Sequence, residues 1–484
     1  MTNLAAAGAR GGLVTASSQI INLLIRTVTI VIFARIFAPE VFGFVAVVTA
    51  INMFVTAIVA LGLPAAAMQA RDLSHQAASA LLYVSSFIGA VCAMLLVIGA
   101  STIASLFDAS QIETVMYWLA AVPFLMGFQS QFRVQMMRQL QFTTLAVIEV
   151  VSTVLGTAIA IVYALATRDY VAIAVQALAP VVLQTVLVAL LARWWPTRPG
   201  NQAEVRHLLK IGVQAFGIGI LQHASRQLLV PAIALDTSPA EVGAYDRAQQ
   251  LAVMPVNSVV DQLQRVAIPV LAQLRDVPDR MRAYLARAQL VVAYTIGTGF
   301  FVLSSVSTEF VVLLLGNGWL VAGQLLQVLA IGAAFRALAQ TVQWQFIAQG
   351  ATSQGLKFSL WSQPGIAALS VAGLVWGIQG VAVMNTLAWA LVWPAATIAA
   401  CRASNFSWRR FLVEPLRALT LFALPAAIPG FALSATELDP IVKITASLLL
   451  SLATCVMSYQ LIPAVRNDVR IVALTAKLSI GKSQ

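Results

Sequence analysis

LVTASSQIINLLIRTVTIVIFA, residues 13–34, is apolar enough to cross a bilayer and yet carries Arg26 in its middle. GVQAFGIGILQHASRQLLVPAIA, residues 212–234, does the same with Arg226, at an offset of 200 residues. The offset extends around both arginines: Gly12 and Gly212, Asn22 and Gln222, Pro39 and Pro239, and Gly43 and Gly243 all keep it. A guanidinium at membrane depth costs several kcal/mol unless it faces water or a partner. A repeat that retains one in each copy implies two related halves around a polar cavity.

Composition agrees with a membrane setting. The chain has 484 residues, 60% hydrophobic and only 10% charged, with a mean hydropathy of +0.87. A soluble protein carries about 25% charged residues. So little charge cannot cover a chain of this length in water, which excludes a soluble globular protein. The net charge of +11 does not point to nucleic acid, because the basic residues lie in short loops between apolar runs. Cys92, Cys401 and Cys455 are scattered, which supports neither a disulfide framework nor a metal site. The first apolar run is longer than a signal-peptide core and reads as a retained helix.

A helical span needs about 20 apolar residues. The sequence predicts fourteen, near 13–34, 42–64, 78–106, 114–132, 144–166, 170–192, 211–233, 243–271, 288–315, 320–348, 358–376, 378–400, 411–432 and 441–463. With the N-terminus in the cytoplasm, 20 of the 29 basic residues fall on the cytoplasmic side, and two, Arg35 and Arg168, fall outside. That asymmetry is the positive-inside signature, and it places both termini in the cytoplasm. Trp194, Trp195, Trp319, Trp361, Trp376 and Trp408 fall at span ends, as interfacial anchors do.

The repeat then acquires a topology. An even number of spans per copy sends both copies into the membrane in the same direction, which is a parallel repeat. The expected organisation is an all-α polytopic protein. It has a first lobe over residues 1–200, a second over 201–405, two additional spans over 406–463 and a basic cytoplasmic tail over 464–484. Later segments also match between the copies. LQFTTLAVIE at 140–149 corresponds to LKFSLWSQPG at 356–365, and Arg71-Asp72 to Arg275-Asp276.

Polar residues inside the spans carry the functional information. Gln19, Asn22 and Arg26 share one helical face by their spacing of three and four, and Gln222 and Arg226 repeat it, with His223 beside them. Arg336, Gln340 and Gln343 form another such face. Arg26, Arg226 and Arg336 have no acidic residue near them in sequence, which favours a cavity-lining role. Arg247 pairs with Asp246, meets a lipid headgroup or contacts substrate, and Arg265 has Asp261 one turn away. Glu149 is an interhelical hydrogen-bond acceptor or an ion-coupling group. His223 is a packing residue or a titrating one. Surplus positive charge in such a cavity selects anions, because the guanidinium fork matches phosphate and carboxylate. Asparagine and glutamine faces suit hydroxyl-rich groups. A lipid-linked sugar diphosphate has both features, and other organic anions share the first.

Several stretches resemble a known family. IFARIFAPEVFGFVAVV (32–48), ALGLPAAAMQARDL (60–73), EVGAYDRAQQLAVMPVNSVVDQLQRVAIPVLAQLRD (241–276) and LLGNGWLVAGQLLQVLAIGAAFRAL (314–338) are similar, in order and spacing, to segments of the polysaccharide transporter family. These are the Wzx-type flippases of the multidrug/oligosaccharidyl-lipid/polysaccharide exporter superfamily, and the similarity is greatest to the colanic-acid and succinoglycan branch. Arg247, Arg265, Tyr245 and Trp319 fall on recurring positions of that pattern. The resemblance implies two six-helix lobes around a cationic cavity. It also implies movement of undecaprenyl-diphosphate-linked oligosaccharide across the bacterial inner membrane, without enzymatic activity or a cofactor. Membrane lipids and a polysaccharide polymerase or export machinery are the implied partners. The chain accordingly has no GxxxxGK[ST] phosphate loop. It departs from the pattern at RDYVAIAVQAL (168–178), which lacks the family's glycine-rich turn, and at Asp246, where serine is commoner.

Other readings stay open at this level. A peptidoglycan-precursor flippase would share the fold and the cationic cavity. A drug or cation antiporter of the same superfamily would need acidic residues in its cavity, and the spans supply few. An integral membrane enzyme would need catalytic acids, a metal motif or a large periplasmic loop.

Overall fold

The computed structural model describes residues 19, 21–60, 63–70, 73–200, 204–206, 208–209, 227–274, 277–404 and 406–480. Among them every regular element is a helix. This is what a bilayer demands of a chain without a closed barrel, because a helix satisfies its backbone polar groups internally. Ten stretches are long and apolar enough to cross a membrane. The chain is a multi-pass membrane protein.

Those ten correspond to eleven of the expected spans, because the stretch Ser353–Ala403 contains two helices. The break between them falls at Gly377, whose φ of 71° is left-handed and favours glycine. The expected first span is described only from residue 19, and most of the seventh lies outside the described residues. The eighth is a 35-residue helix, Pro239–Gln273, too polar to count by hydropathy alone.

The chain divides into two compact units, Met1–Gly243 and Ala244–Gln484. The first contains α1 (21–36), α2 (Pro39–Ala60), the short α3 (Leu63–Gln69), α4 (His75–Leu106), α5 (Ser110–Leu119), α6 (Ala121–Arg138), α7 (Phe142–Thr167), α8 (Val171–Leu191) and the short α9 (Leu229–Ala234). Helices pack closely here through small residues, the usual solution in a bilayer, where lipid is as apolar as leucine. Gly89 of α4 lies against the Pro123 carbonyl of α6, and Gly127 of α6 lies against the Ser85 carbonyl of α4. Gly156 of α7 lies against Pro180 of α8. At the α7–α8 turn, Arg168 takes the left-handed conformation at φ 53°, and Asp169 accepts from the Val171 amide at 3.1 Å. The missing glycine turn is thus replaced by a strained arginine and an aspartate cap.

The segment after α8 is strapped to the start of α4. His75 Nε2 lies 2.9 Å from the Trp195 carbonyl, and the Thr197 amide donates to Ser79 Oγ at 3.0 Å. Glu204 accepts from both the amide and the hydroxyl of Ser74, the N-cap of α4. Trp194 is buried edge-on against Phe132, and Trp319 is buried as well. These two tryptophans are therefore core residues, not interfacial anchors, whereas Trp195, Trp361, Trp376 and Trp408 are exposed as the sequence predicts.

The repeat-related residues Pro39, Gly43, Pro239 and Gly243 meet in the first unit. A side-chain carbon on Gly43 would overlap the Pro239 carbonyl oxygen, and one on Gly243 would overlap that of Pro39. The first turns of α2 and of the helix beginning at Pro239 thus touch backbone to backbone, each through a glycine.

The second unit contains most of α10 (Pro239–Gln273), α11 (Pro278–Val292), α12 (Thr298–Leu315), α13 (Leu320–Ala348), α14 (Thr352–Ala372), α15 (Gly377–Ala403), α16 (Trp408–Ala418), α17 (Leu424–Ser434), α18 (Pro440–Leu461) and α19 (Pro463–Ile480). α12, α13 and α15 pack side by side through Gly323 against Thr308 and Gly332 against Thr386. One-turn π-helical segments link α11 to α12 and α16 to α17, and Tyr294 of the first packs on Phe422 of the second with ring centroids 5.1 Å apart. The basic tail is itself a helix, α19. It is held by Asp468, which receives Arg417 at 2.6 and 2.7 Å and the Tyr294 hydroxyl at 3.1 Å.

Candidate functional site

In the first unit, α1 brings Asn22 and Arg26 to the same face, one turn apart. Asn22 is buried and donates to Glu149 Oε1 of α7 at 3.3 Å. Arg133 of α6 lies within Coulombic reach of the same carboxylate. Glu149 therefore ties α1 to α7 as an acceptor. Gln129 and Gln131, on α6, are fully buried; Gln129 donates to the Met126 sulfur. Arg26 is different. It is exposed, and no ion pair or hydrogen bond to it occurs among the described residues.

In the second unit, α13 places Arg336 and Gln340 one turn apart, both half-buried. The Arg336 guanidinium carbon lies 5.1 Å from the ring centroid of Trp389 on α15. Gln340 donates to Asn257 Oδ1 of α10 at 3.2 Å. Its own Oε1 is buried with no partner among the described residues. Gln340 thus leaves a buried acceptor one helical turn from Arg336. Gln343, expected on the same face, is exposed.

Arg247 is paired. Its Nη2 meets Asp246 Oδ2 at 2.9 Å, Nη1 donates to Gln250 Oε1 at 3.1 Å, and Gln250 in turn donates to Asp246. The local pair, one of the readings open in the sequence, is formed. Gln222, His223 and Arg226 lie outside the described residues, as do the side chains of Asp261 and Arg265. No group of three or more potential metal ligands occurs among the described residues.

Sequence reasoning missed Trp389. Its signal was present: Trp389 and Trp393 lie inside the expected span 378–400, away from its ends, where an interfacial role is excluded. An open apolar groove of about 500 Å³ also runs between α12 and α18, lined by Thr298, Val302, Val306, Phe310, Leu448 and Leu452 among others. Its walls fit a hydrocarbon chain.

Residues 32–324 match the model of a family described as polysaccharide biosynthesis protein. The chain belongs to that family. The similarity read from its own segments to Wzx-type polysaccharide flippases stands with this membership. An uncharacterised membrane protein in the cps region of Klebsiella pneumoniae is 23% identical over 348 residues, covering 71% of this chain and 72% of the relative. The lipopolysaccharide biosynthesis protein WzxC of Escherichia coli K12 is 21% identical, covering 76% and 75%. The succinoglycan biosynthesis transport protein ExoT of Rhizobium meliloti is 22% identical, covering 63% and 62%. Among solved structures, the lipid II flippase MurJ in an inward closed conformation aligns with a TM-score of 0.71 at 14% identity, covering 93% of this chain and 99% of that one. An inward-facing multidrug transporter of the MATE family aligns with a TM-score of 0.63, also at 14% identity. At such identities these two show the fold alone.

Proposed function

We propose that this polysaccharide biosynthesis family member flips undecaprenyl-diphosphate-linked oligosaccharide from the cytoplasmic to the periplasmic leaflet of the bacterial inner membrane, by alternating access. Within the first unit Arg26 and Arg226 are assigned to anionic groups and Asn22 and Gln222 to sugar hydroxyls, and within the second Arg336 and Gln340 are assigned to the same two kinds of group. The observation that carries this reading is Arg26, an exposed guanidinium inside a span in a member of a polysaccharide family. The apolar groove between α12 and α18 suits the lipid part of the same ligand. Glu149 is assigned to holding α1 against α7, because Asn22 and Arg133 already engage it. Arg247 is assigned to its pair with Asp246 and supports the site from α10. A polymerase that consumes the flipped unit is the natural downstream partner.

The test is complementation of a strain lacking the chromosomal copy. Arg26→Ala is expected to abolish surface polysaccharide while the amount of protein in the membrane stays at the wild-type level. Lipid-linked units then accumulate in the inner leaflet. Normal surface polysaccharide in an Arg26→Ala, Arg336→Ala double variant would overturn the assignment.

A further inference from the structure

In the second unit α11 and α16 pack against each other, on the side that the charge distribution assigns to the cytoplasm. Tyr294 and Phe422, just beyond their C-terminal ends, meet with ring centroids 5.1 Å apart. Three spans, α13, α14 and α15, lie between the two helices in the chain and alternate in direction, so α11 and α16 run the same way. Counting back 12 residues from that contact reaches Arg282 on one helix and Arg410 on the other. This end of the unit carries Arg280, Arg282 and Arg287 on α11 and Arg409 and Arg410 on α16, all exposed. Among the described residues only two acids pair with them. Asp279 meets Arg282 at 3.2 Å, and Glu414 meets Arg410 at 2.7 Å. Such exposed pairs hold their arginines weakly.

Basic loops alone follow from the positive-inside rule. These arginines lie on helices, and on α16 they stand beside exposed apolar side chains. Trp408 is 41% exposed, with its ring centroid 5.9 Å from the Arg409 guanidinium carbon. Val413 and Leu416, four and seven residues beyond Arg409 and on its face of the helix, are 57% and 47% exposed. A face that opens with arginine and an indole and continues as aliphatic surface fits a phospholipid, with the phosphate at the first turn and acyl chain along the next two. An acidic peptide or a polynucleotide would use the charges and leave the aliphatic flank uncovered. We infer that the Trp408–Arg410 turn of α16, flanked by the arginines of α11, is a headgroup site for an anionic phospholipid of the cytoplasmic leaflet. None of these residues belongs to the set assigned to the transported ligand, so the inference stands or falls apart from that assignment.

The full chain is exchanged into a neutral detergent, and its thermal unfolding midpoint is followed as phosphatidylglycerol is added. A ligand of the folded state raises the midpoint as it binds. Phosphatidylglycerol is expected to raise it at concentrations where phosphatidylcholine, inorganic phosphate and polyglutamate do not. The Arg409→Gln, Arg410→Gln variant needs roughly twenty- to thirtyfold more phosphatidylglycerol for the same rise, from roughly fivefold for each basic residue near an anionic surface. Arg409→Lys, Arg410→Lys keeps the charge and stays within roughly threefold of wild type. Arg193→Gln, Arg198→Gln removes the same charge from the first unit and leaves the response at the wild-type level. An equal rise with phosphatidylcholine, or a wild-type response in the Arg409→Gln, Arg410→Gln variant, would overturn the inference. So would an equal loss in the Arg193→Gln, Arg198→Gln control, which would mean that total charge alone matters. A rise with phosphate or polyglutamate that matches the lipid would make this a general anion surface and overturn the lipid assignment. Should the double glutamine variant not accumulate, Arg409→Gln alone, expected to cost roughly fivefold, is judged by the same outcomes.

Discussion

Asp246 and Arg247 are adjacent in sequence, and both are shielded from solvent, with side-chain exposures of 17% and 11%. Removing one partner of a buried pair leaves an uncompensated charge and costs about 3 kcal/mol or more, whereas removing both is often nearly neutral. Asp246→Ala is therefore expected to lower the thermal unfolding midpoint in detergent, and the Asp246→Ala, Arg247→Ala double variant to recover most of the loss. Equal losses in the single and double variants would show that the pair is not what holds Arg247. Glu149 gives a second residue-level test. Glu149→Gln keeps an oxygen to accept from Asn22, and Glu149→Leu does not. If the carboxylate serves mainly as an acceptor between helices, the Gln variant exports polysaccharide near the wild-type level and the Leu variant is reduced in membrane abundance. Complete loss of export in the Gln variant at normal abundance would return Glu149 to an ion-coupling role. The pairing of Arg247 could be read from sequence because both partners are neighbours. The partners of Asn22 and Arg336 could not, because they come from helices far along the chain.

Elements meet through contacts that sequence hints at without locating. Gly43 and Gly243 stand out as matched positions of the repeat, but only the fold shows that each fills the space beside the other's proline carbonyl. Any side chain there must part the two helix ends, and overpacking of this kind costs about 1–3 kcal/mol. Gly43→Val and Gly243→Val are each expected to lower the unfolding midpoint, and the double variant to lose less than the sum, because one displacement relieves both clashes. Full additivity would count against a shared contact. The C-terminal helix α19 is held differently, by one bidentate ion pair from Arg417 to a buried Asp468. Asp468→Asn keeps the shape but removes the charge. It is expected to release α19, making Arg466 and Arg470 rapid trypsin sites in the folded protein. An unchanged cleavage pattern would place the hold on α19 in its apolar packing instead.

Across the whole molecule, what the sequence shows best is what the bilayer selects. Apolar runs and basic loops are composition-level signals, so the all-helical, multi-pass architecture and most spans could be read directly from them. The eighth span shows where that reading weakens. Pro239–Gln273 is a continuous helix, yet its polar residues remove it from the set judged apolar enough to cross. A polar span is stable only where neighbours or a watery space take up its side chains, and hydropathy along one chain does not record neighbours. The distribution of charge does record the side of the membrane, and it makes a prediction for the full topology. Thr436, between α17 and α18, is exposed, as is Ser407 before α16. With both termini cytoplasmic, a cysteine at 436 faces the periplasm and one at 407 the cytoplasm. In a variant with the three native cysteines replaced, an impermeant maleimide added to intact cells is expected to label Thr436→Cys and to spare Ser407→Cys until the membrane is opened. The reverse pattern would invert the orientation of the last helices, and with it the assignment of α19 to the cytoplasm. Labelling of both positions before lysis would mean that 408–434 does not cross, which would remove the even span count on which a common side for the two termini depends.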